Sequence, residues 1–183
     1  MEHKEDLQQV QDAVKEGKSV LVVGSENSGK TELVRSLVRA IPVDKQTILV
    51  GKEKDWKEYV NEDVVSFRSS TDGAAYGESM KEILDRPRGT TQFVFDDMNT
   101  RGVYFAVQSW EFKVPGIGVL EVEDGTMESA IKKMVDAHAD VLGSDVYNHY
   151  ESIQGQMCEV VDLMVIMDSN TKGIYKIVNP KQL

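Results

Sequence analysis

Ser19-Val-Leu-Val-Val-Gly24-Ser-Glu-Asn-Ser-Gly29-Lys30-Thr31 is the stretch whose reading decides the fold. Four apolar residues, Val20 to Val23, read as a buried strand that runs straight into the pattern G-x-x-x-x-G-K-T. Behind it Leu33, Val34, Leu37, Val38 and Ile41 recur at helical spacing, so strand, glycine loop and helix follow one another in the order a phosphate cradle needs. Gly24 and Gly29 let the backbone curl so that the amides across Ser25, Glu26, Asn27 and Ser28 point inward. The helix that starts at Thr31 turns its positive dipole end toward the same anion. Lys30 reaches the terminal phosphates of a nucleotide, and the Thr31 hydroxyl supplies one position to Mg2+. The expected ligand is a nucleotide with Mg2+.

Outward from this loop, the chain punctuates itself regularly. Residues 4–16 carry Leu7, Val10, Ala13 and Val14 on one stripe, an amphipathic helix ended by Gly17. After Ile41-Pro42 stops the loop helix, Thr47–Val50 and Val64–Phe67 read as strands. Ser69–Gly77 reads as a polar loop, and Tyr76, Met80, Ile83 and Leu84 as one side of a helix. Pro87-Arg-Gly89 then breaks the chain before Gln92-Phe-Val-Phe-Asp96-Asp97. Apolar residues ending in two acids suit the strand expected beside the glycine loop. Asp96 is placed to hold Mg2+, and Asp97 to orient or deprotonate an attacking water.

Residues 103–112 read as a helix bearing Tyr104, Phe105, Val107 and Trp110, either core packing or a subunit interface rich in aromatics. Ile117–Val122 is a further strand, ending in Glu121, Glu123 and Asp124. Helices follow at 127–142 and 146–160, and His138 falls on the apolar stripe of the first, as a half-buried core histidine would. Asp162–Met167 and Ile174–Val178, joined by the turn Asp168–Gly173, close the chain as a hairpin. Strands alternating with helices imply an α/β fold of three layers, a mostly parallel sheet with antiparallel edge strands. The ligand belongs at the C-terminal ends of its strands, where Gly24, Asp96 and Glu123 are expected.

The 183 residues suit one domain, and 40% hydrophobic with 28% charged residues describe a globular chain. A net charge of −10 argues against a general nucleic-acid-binding surface. One cysteine, Cys158, allows no intrachain disulfide, which fits a cytoplasmic location. Nothing reads as a membrane span, a signal peptide or a repeat.

The order of pieces over nearly the whole chain resembles the C-terminal, RecA-like motor domain of the type II/type IV secretion ATPases (traffic ATPases), closest to the conjugation and type IV secretion branch. The shared passages are the helix leading into the glycine-loop strand, Ile41-Pro42, and the Arg-Pro approach Ile83–Asp97 into the acidic motif. Gln156, Val161-Asp-Leu-Met-Val165 and Gly173–Ile177 are similar too. The resemblance implies an ATPase that assembles as a ring, with a hexamer as candidate, and works with secretion or conjugation machinery proteins. It implies peripheral association with the inner face of the membrane at most.

The departures bear on turnover. Where the family has Gly-Glu, this chain has Asp96-Asp97, so the shorter Asp97 stands for the catalytic Glu. Arg101 matches the following arginine only with two residues inserted, and Glu123 or Asp124 replaces the histidine of the histidine box. Only Glu53 offers an acid after the second strand, Gln154 and Gly155 stand where arginine is usual, and the family's N-terminal domain has no counterpart. The expected catalytic set is therefore Asp97, Asp96 and Glu123, with Thr31 and Asp96 for the metal, good Mg-ATP binding, and slow or partner-dependent hydrolysis. Two other readings stay open: a nucleotide-binding regulatory or assembly subunit, and a small kinase using Arg86 and Arg88 as its lid.

Overall fold

The computed structural model describes residues 2–50, 65–68, 89–98, 100–143 and 146–182. The elements, in order, are α1 (Glu2–Lys15), β1 (Val20–Gly24), α2 (Lys30–Val38), β2 (Gln46–Val50), β3 (Val65–Arg68) and β4 (Thr91–Phe95). They continue with α3 (Thr100–Glu111), β5 (Gly116–Glu121), α4 (Met127–Leu142), α5 (Val146–Val160), β6 (Leu163–Asp168), β7 (Gly173–Val178) and a single 3-10 turn at Pro180–Gln182. The expected loop at 69–77, the helix bearing Tyr76 to Leu84, Glu53, Arg86 and Arg88 lie outside the described residues.

Among the described residues seven strands form one sheet in the order β3-β2-β4-β5-β1-β6-β7. All neighbours run parallel except β6 and β7, whose antiparallel pairing carries an irregularity between Ile166 and Met167. The mostly parallel three-layer α/β architecture read from the sequence is what forms, with antiparallel order confined to one edge. One expectation fails: the acid-tipped strand β4 is not beside β1, because β5 pairs with both and separates them. Local residue patterns carry no record of which distant strand closes the gap.

β1 is buried at every position, as a parallel strand covered on both faces requires. Its side chains alternate between two cores. Val20 and Val22 pack with Val10, Val14, Leu33, Val34 and Leu37 of α1 and α2. Leu21 and Val23 pack with Val103, Val107, Trp110, Met134, Val135 and Met157 of α3, α4 and α5. Each such side chain removed from water is worth about 1.5–3 kcal/mol, so both helical layers hold the strand that carries the glycine loop.

Two polar side chains that enter this interior tie elements together, while among the described residues Thr91 Oγ1, Trp110 Nε1 and His138 Nδ1 are buried without a partner. Gln92 is 2% exposed, and its Nε2 donates to the Val14 carbonyl at 3.1 Å, tying β4 to the end of α1. Asp162 accepts from the Ser19 amide at 2.8 Å and from Lys181 Nζ at 2.7 Å, which ties the entry of β1 to the turn after β7. α4 opens on a Thr126 cap, whose hydroxyl accepts from the Ser129 amide at 3.2 Å, and closes on left-handed Gly143. No helix among the described residues is long and apolar enough to cross a membrane.

Candidate nucleotide site

The loop between β1 and α2 has the conformation its residues suggest. Asn27 and Gly29 both take left-handed backbone, at φ 61° and 89°. These turn successive amides toward one side. Gly24 is needed for closeness instead: a Cβ there would stand 2.4 Å from Ser28 Oγ and 2.9 Å from the Met167 Cβ. Gly29 precedes α2, and no side chain among the described residues caps that helix. Its first-turn N–H groups are left for a ligand, and their partial positive charge suits an anion.

Lys30 is 8% exposed, and its ammonium donates to the Ser25 carbonyl and lies 3.4 Å from Glu121 Oε2. Glu121 closes β5 and is the register partner of Gly24, so strand pairing itself sets the acid beside the loop. Its carbonyl accepts from Lys133 Nζ at 2.8 Å. Around these groups lies a cleft of about 710 Å3, lined by Glu26–Glu32, Asp96, Asp97, Met98, Val119, Glu121, Lys133 and Lys172. That is room for a small-molecule ligand, since such sites span about 300–1,000 Å3.

Six of the eight loop residues expected to bind a nucleotide, Glu26 to Thr31, line this cleft together with Asp96 and Asp97. Thr31 is exposed at the start of α2 and Asp96 follows β4, so a hydroxyl and a carboxylate share one cavity. Such oxygen donors fit Mg2+ held with phosphate oxygens and water. Ser28 Oγ is buried and lacks a partner among the described residues, a further polar atom in the same loop.

Glu123 lies elsewhere. Two residues past the end of β5, it lines a separate cavity of about 540 Å3 with Ser25, Asp124, Thr126, Asp168 and Asn170. There the Ser129 hydroxyl and the Thr126 amide hold Asp124 below the usual carboxylate range. Lys176 of β7 and the first turn of α4 stand on that cavity's wall, and Lys30 does not. Arg101 is exposed in the first turn of α3 and lines neither cavity. Gln156 donates to Glu111, so it links α5 to α3.

His138 is buried at 3% exposure against the Tyr104 ring, and burial pushes its pKa down. Trp110 is likewise core, at 2% exposed, while Phe112 stands 48% exposed. The site residues that sequence reasoning passed over are Glu121, Lys133 and Lys172. Alternation along β5 was a usable signal for Glu121, since it has the parity of Ile117 and Val119, which pack in the core beneath α2.

Fold and loop together define the class: a three-layer RecA-like P-loop fold. The same fold occurs in the VirB11 ATPase of the Brucella suis type IV secretion system, solved in complex with sulphate, with a TM-score of 0.74 and 18% identity over 99% of this chain. It also occurs in the ATPase DotB of Yersinia pseudotuberculosis (TM-score 0.58, 14% identity) and of Legionella pneumophila (0.60, 11%), each over 86% of this chain. The chain spans 55% of the length of the first and 40% and 42% of the others. No protein-family model matches the chain, and no curated protein matches it in sequence.

Proposed function

We propose that the chain is a secretion-ATPase-like nucleotide-binding protein that binds Mg-ATP in the P-loop cleft and hydrolyses it slowly or on a partner's stimulus. The observation that carries this reading is the single cleft joining Lys30 and the uncapped amides of α2 to the acids that follow β4. Those amides and Lys30 bind the phosphate chain, with the ammonium leaving Glu121 for the terminal phosphates. Thr31 and Asp96 would hold Mg2+, which neutralises phosphate charge when bound. Asp97 is the group to orient the attacking water. It is one methylene shorter than the glutamate of the resembled family, which is the physical ground for slow turnover. Glu123 keeps a place only as an auxiliary acid, since it lines the neighbouring cavity.

On this reading the chain is the motor half of a machine. It assembles into a ring and couples the nucleotide cycle to moving a macromolecule for a secretion or conjugation apparatus, from the cytoplasm or the inner face of the membrane. The nucleotide-sensing subunit remains the second reading, favoured by one observation: Glu121 stands 3.4 Å from the lysine that hydrolysis needs.

The test is phosphate release from Mg-ATP by wild type and Lys30→Ala over a range of protein concentrations, with mass followed by light scattering. Specific activity that rises as a larger species forms, and vanishes in Lys30→Ala, supports the motor. Nucleotide binding with neither turnover nor assembly moves the assignment to the sensing subunit. Failure to bind any nucleotide sinks both.

A further inference from the structure

We propose that Lys172, in the turn between β6 and β7, is a second phosphate-binding cation of the P-loop cleft, supplied by the same chain. This deepens the nucleotide reading above and rests on it. The turn lies directly against the loop: a Cβ on Gly29 would stand 2.8 Å from the Lys172 carbonyl oxygen and 3.4 Å from its Cβ. Because β6 is the register neighbour of β1, the turn that ends β6 is carried to the edge where the P-loop sits. Lys172 itself lines the cleft with Lys30 and Thr31.

The turn is built to hold this residue in place. The Asp168 carboxylate accepts from the amides of Asn170 and Thr171 at 3.0 and 3.3 Å, and from the Thr171 hydroxyl at 3.0 Å. Those donors, the Asn170 amide foremost, keep the Asp168 carboxyl below its ordinary range, so the latch is ionised at neutral pH. Lys172 takes left-handed backbone at φ 53°, which glycine adopts more readily.

Charge gives it a task. The cleft walls present Lys30, Lys133 and Lys172 against Glu26, Glu32, Asp96, Asp97 and Glu121, so a phosphate chain enters a site with fewer cations than acids. Lys30 is engaged by Glu121 and the Ser25 carbonyl, and Lys133 by the Glu121 carbonyl. Among the described residues Lys172 makes no ion pair or hydrogen bond. Its ammonium is therefore the one of the three with its donors uncommitted. A contact made equally to bound nucleotide and transition state raises affinity and leaves kcat alone.

Calorimetric titration of Mg-ADP and Mg-ATP, beside urea unfolding of the free protein, tests the assignment on wild type, Lys30→Ala, Lys172→Gln, Lys172→Arg and Lys172→Gly. Loss of a charge-assisted phosphate contact weakens binding roughly tenfold in Lys172→Gln, and Lys172→Arg restores it to within about twofold. Lys172→Gly weakens binding as much while shifting the unfolding midpoint upward, because the left-handed backbone is relieved. Affinity and stability then move in opposite directions, which a merely structural residue cannot produce. Wild-type affinity in both Lys172→Gln and Lys172→Gly, with Lys30→Ala silent, overturns this inference and spares the nucleotide reading. Parallel loss of affinity and stability in both variants overturns it as well. A wild type that binds no nucleotide overturns the two together.

Discussion

Gly29→Ala measures how firmly the hairpin turn is pressed against the P-loop, and Gly143→Ala supplies its control. Both glycines are left-handed, at φ 89° and 64°, so an alanine at either carries the same backbone penalty, about 1–2 kcal/mol before unfolded-chain entropy returns a part. Their surroundings differ. Among the described residues a Cβ on Gly143 meets nothing within 4 Å, whereas one on Gly29 lands 2.8 Å from the Lys172 backbone oxygen. That neighbour is main chain and cannot rotate aside, so the turn must move, at an overpacking cost of about 1–3 kcal/mol. Gly143→Ala is therefore expected near 1 kcal/mol destabilised and Gly29→Ala about 2–4. Urea unfolding of the nucleotide-free protein reads the gap, and calorimetry reads it as a Tm difference of roughly 2–4 °C per kcal/mol for a chain of this size. Two variants that agree within about 0.5 kcal/mol would show that nothing stands behind the loop, and the contact would have to be abandoned.

Three further outcomes are expected. Glu121→Gln removes the acid that competes for Lys30, and because Glu121 is 56% exposed the gain is small, about two- to fivefold tighter Mg-ADP by titration; unchanged or weaker binding rejects the competition. Trp110→Ala empties a site in the core and costs about 3–5 kcal/mol in denaturant unfolding, against less than about 0.5 for exposed Phe112→Ala; equal costs would contradict the packing of α3. Burial lowers the His138 pKa in the folded state, so protonation favours the unfolded chain, and stability falls as pH drops below the ordinary value of 6.5. His138→Gln is expected to flatten the unfolding midpoint between about pH 5 and 7, and a slope left intact in that variant assigns it to other groups.

Much of this molecule was legible locally. The P-loop announced itself because strand, glycine positions and helix stripe each obey a short-range rule, and Leu33, Val34, Leu37 and Val38 do form the buried face of α2. The hairpin at 163–178 was legible for the same reason, an apolar run on each side of a polar, glycine-ended turn. What was not legible depends on distant pairing. Nothing within Gln92–Asp97 says that β5 comes between it and β1. Glu121 and Glu123 share a parity and differ only in that the strand ends at the first of them. The Val122–Gly125 turn, in which the Gly125 amide donates to the Val122 carbonyl at 3.3 Å, then redirects the chain into α4. Lys172 read as an ordinary turn residue, because its importance comes from β6 lying beside β1.

The two cores that share β1 carry a consequence for exchange with solvent. Opening of the α1–α2 layer leaves β1 covered by α3 and α4, and opening of the second layer leaves it covered by the first. Amide protons of Val20 to Val23 are thus protected until the whole domain unfolds, while those at the uncapped start of α2 trade with deuterium early. The phosphate cradle has a fast-exchanging lip on a slow-exchanging footing: the amides that meet a ligand are unbonded in the free protein, and the strand that aims them is the last to open.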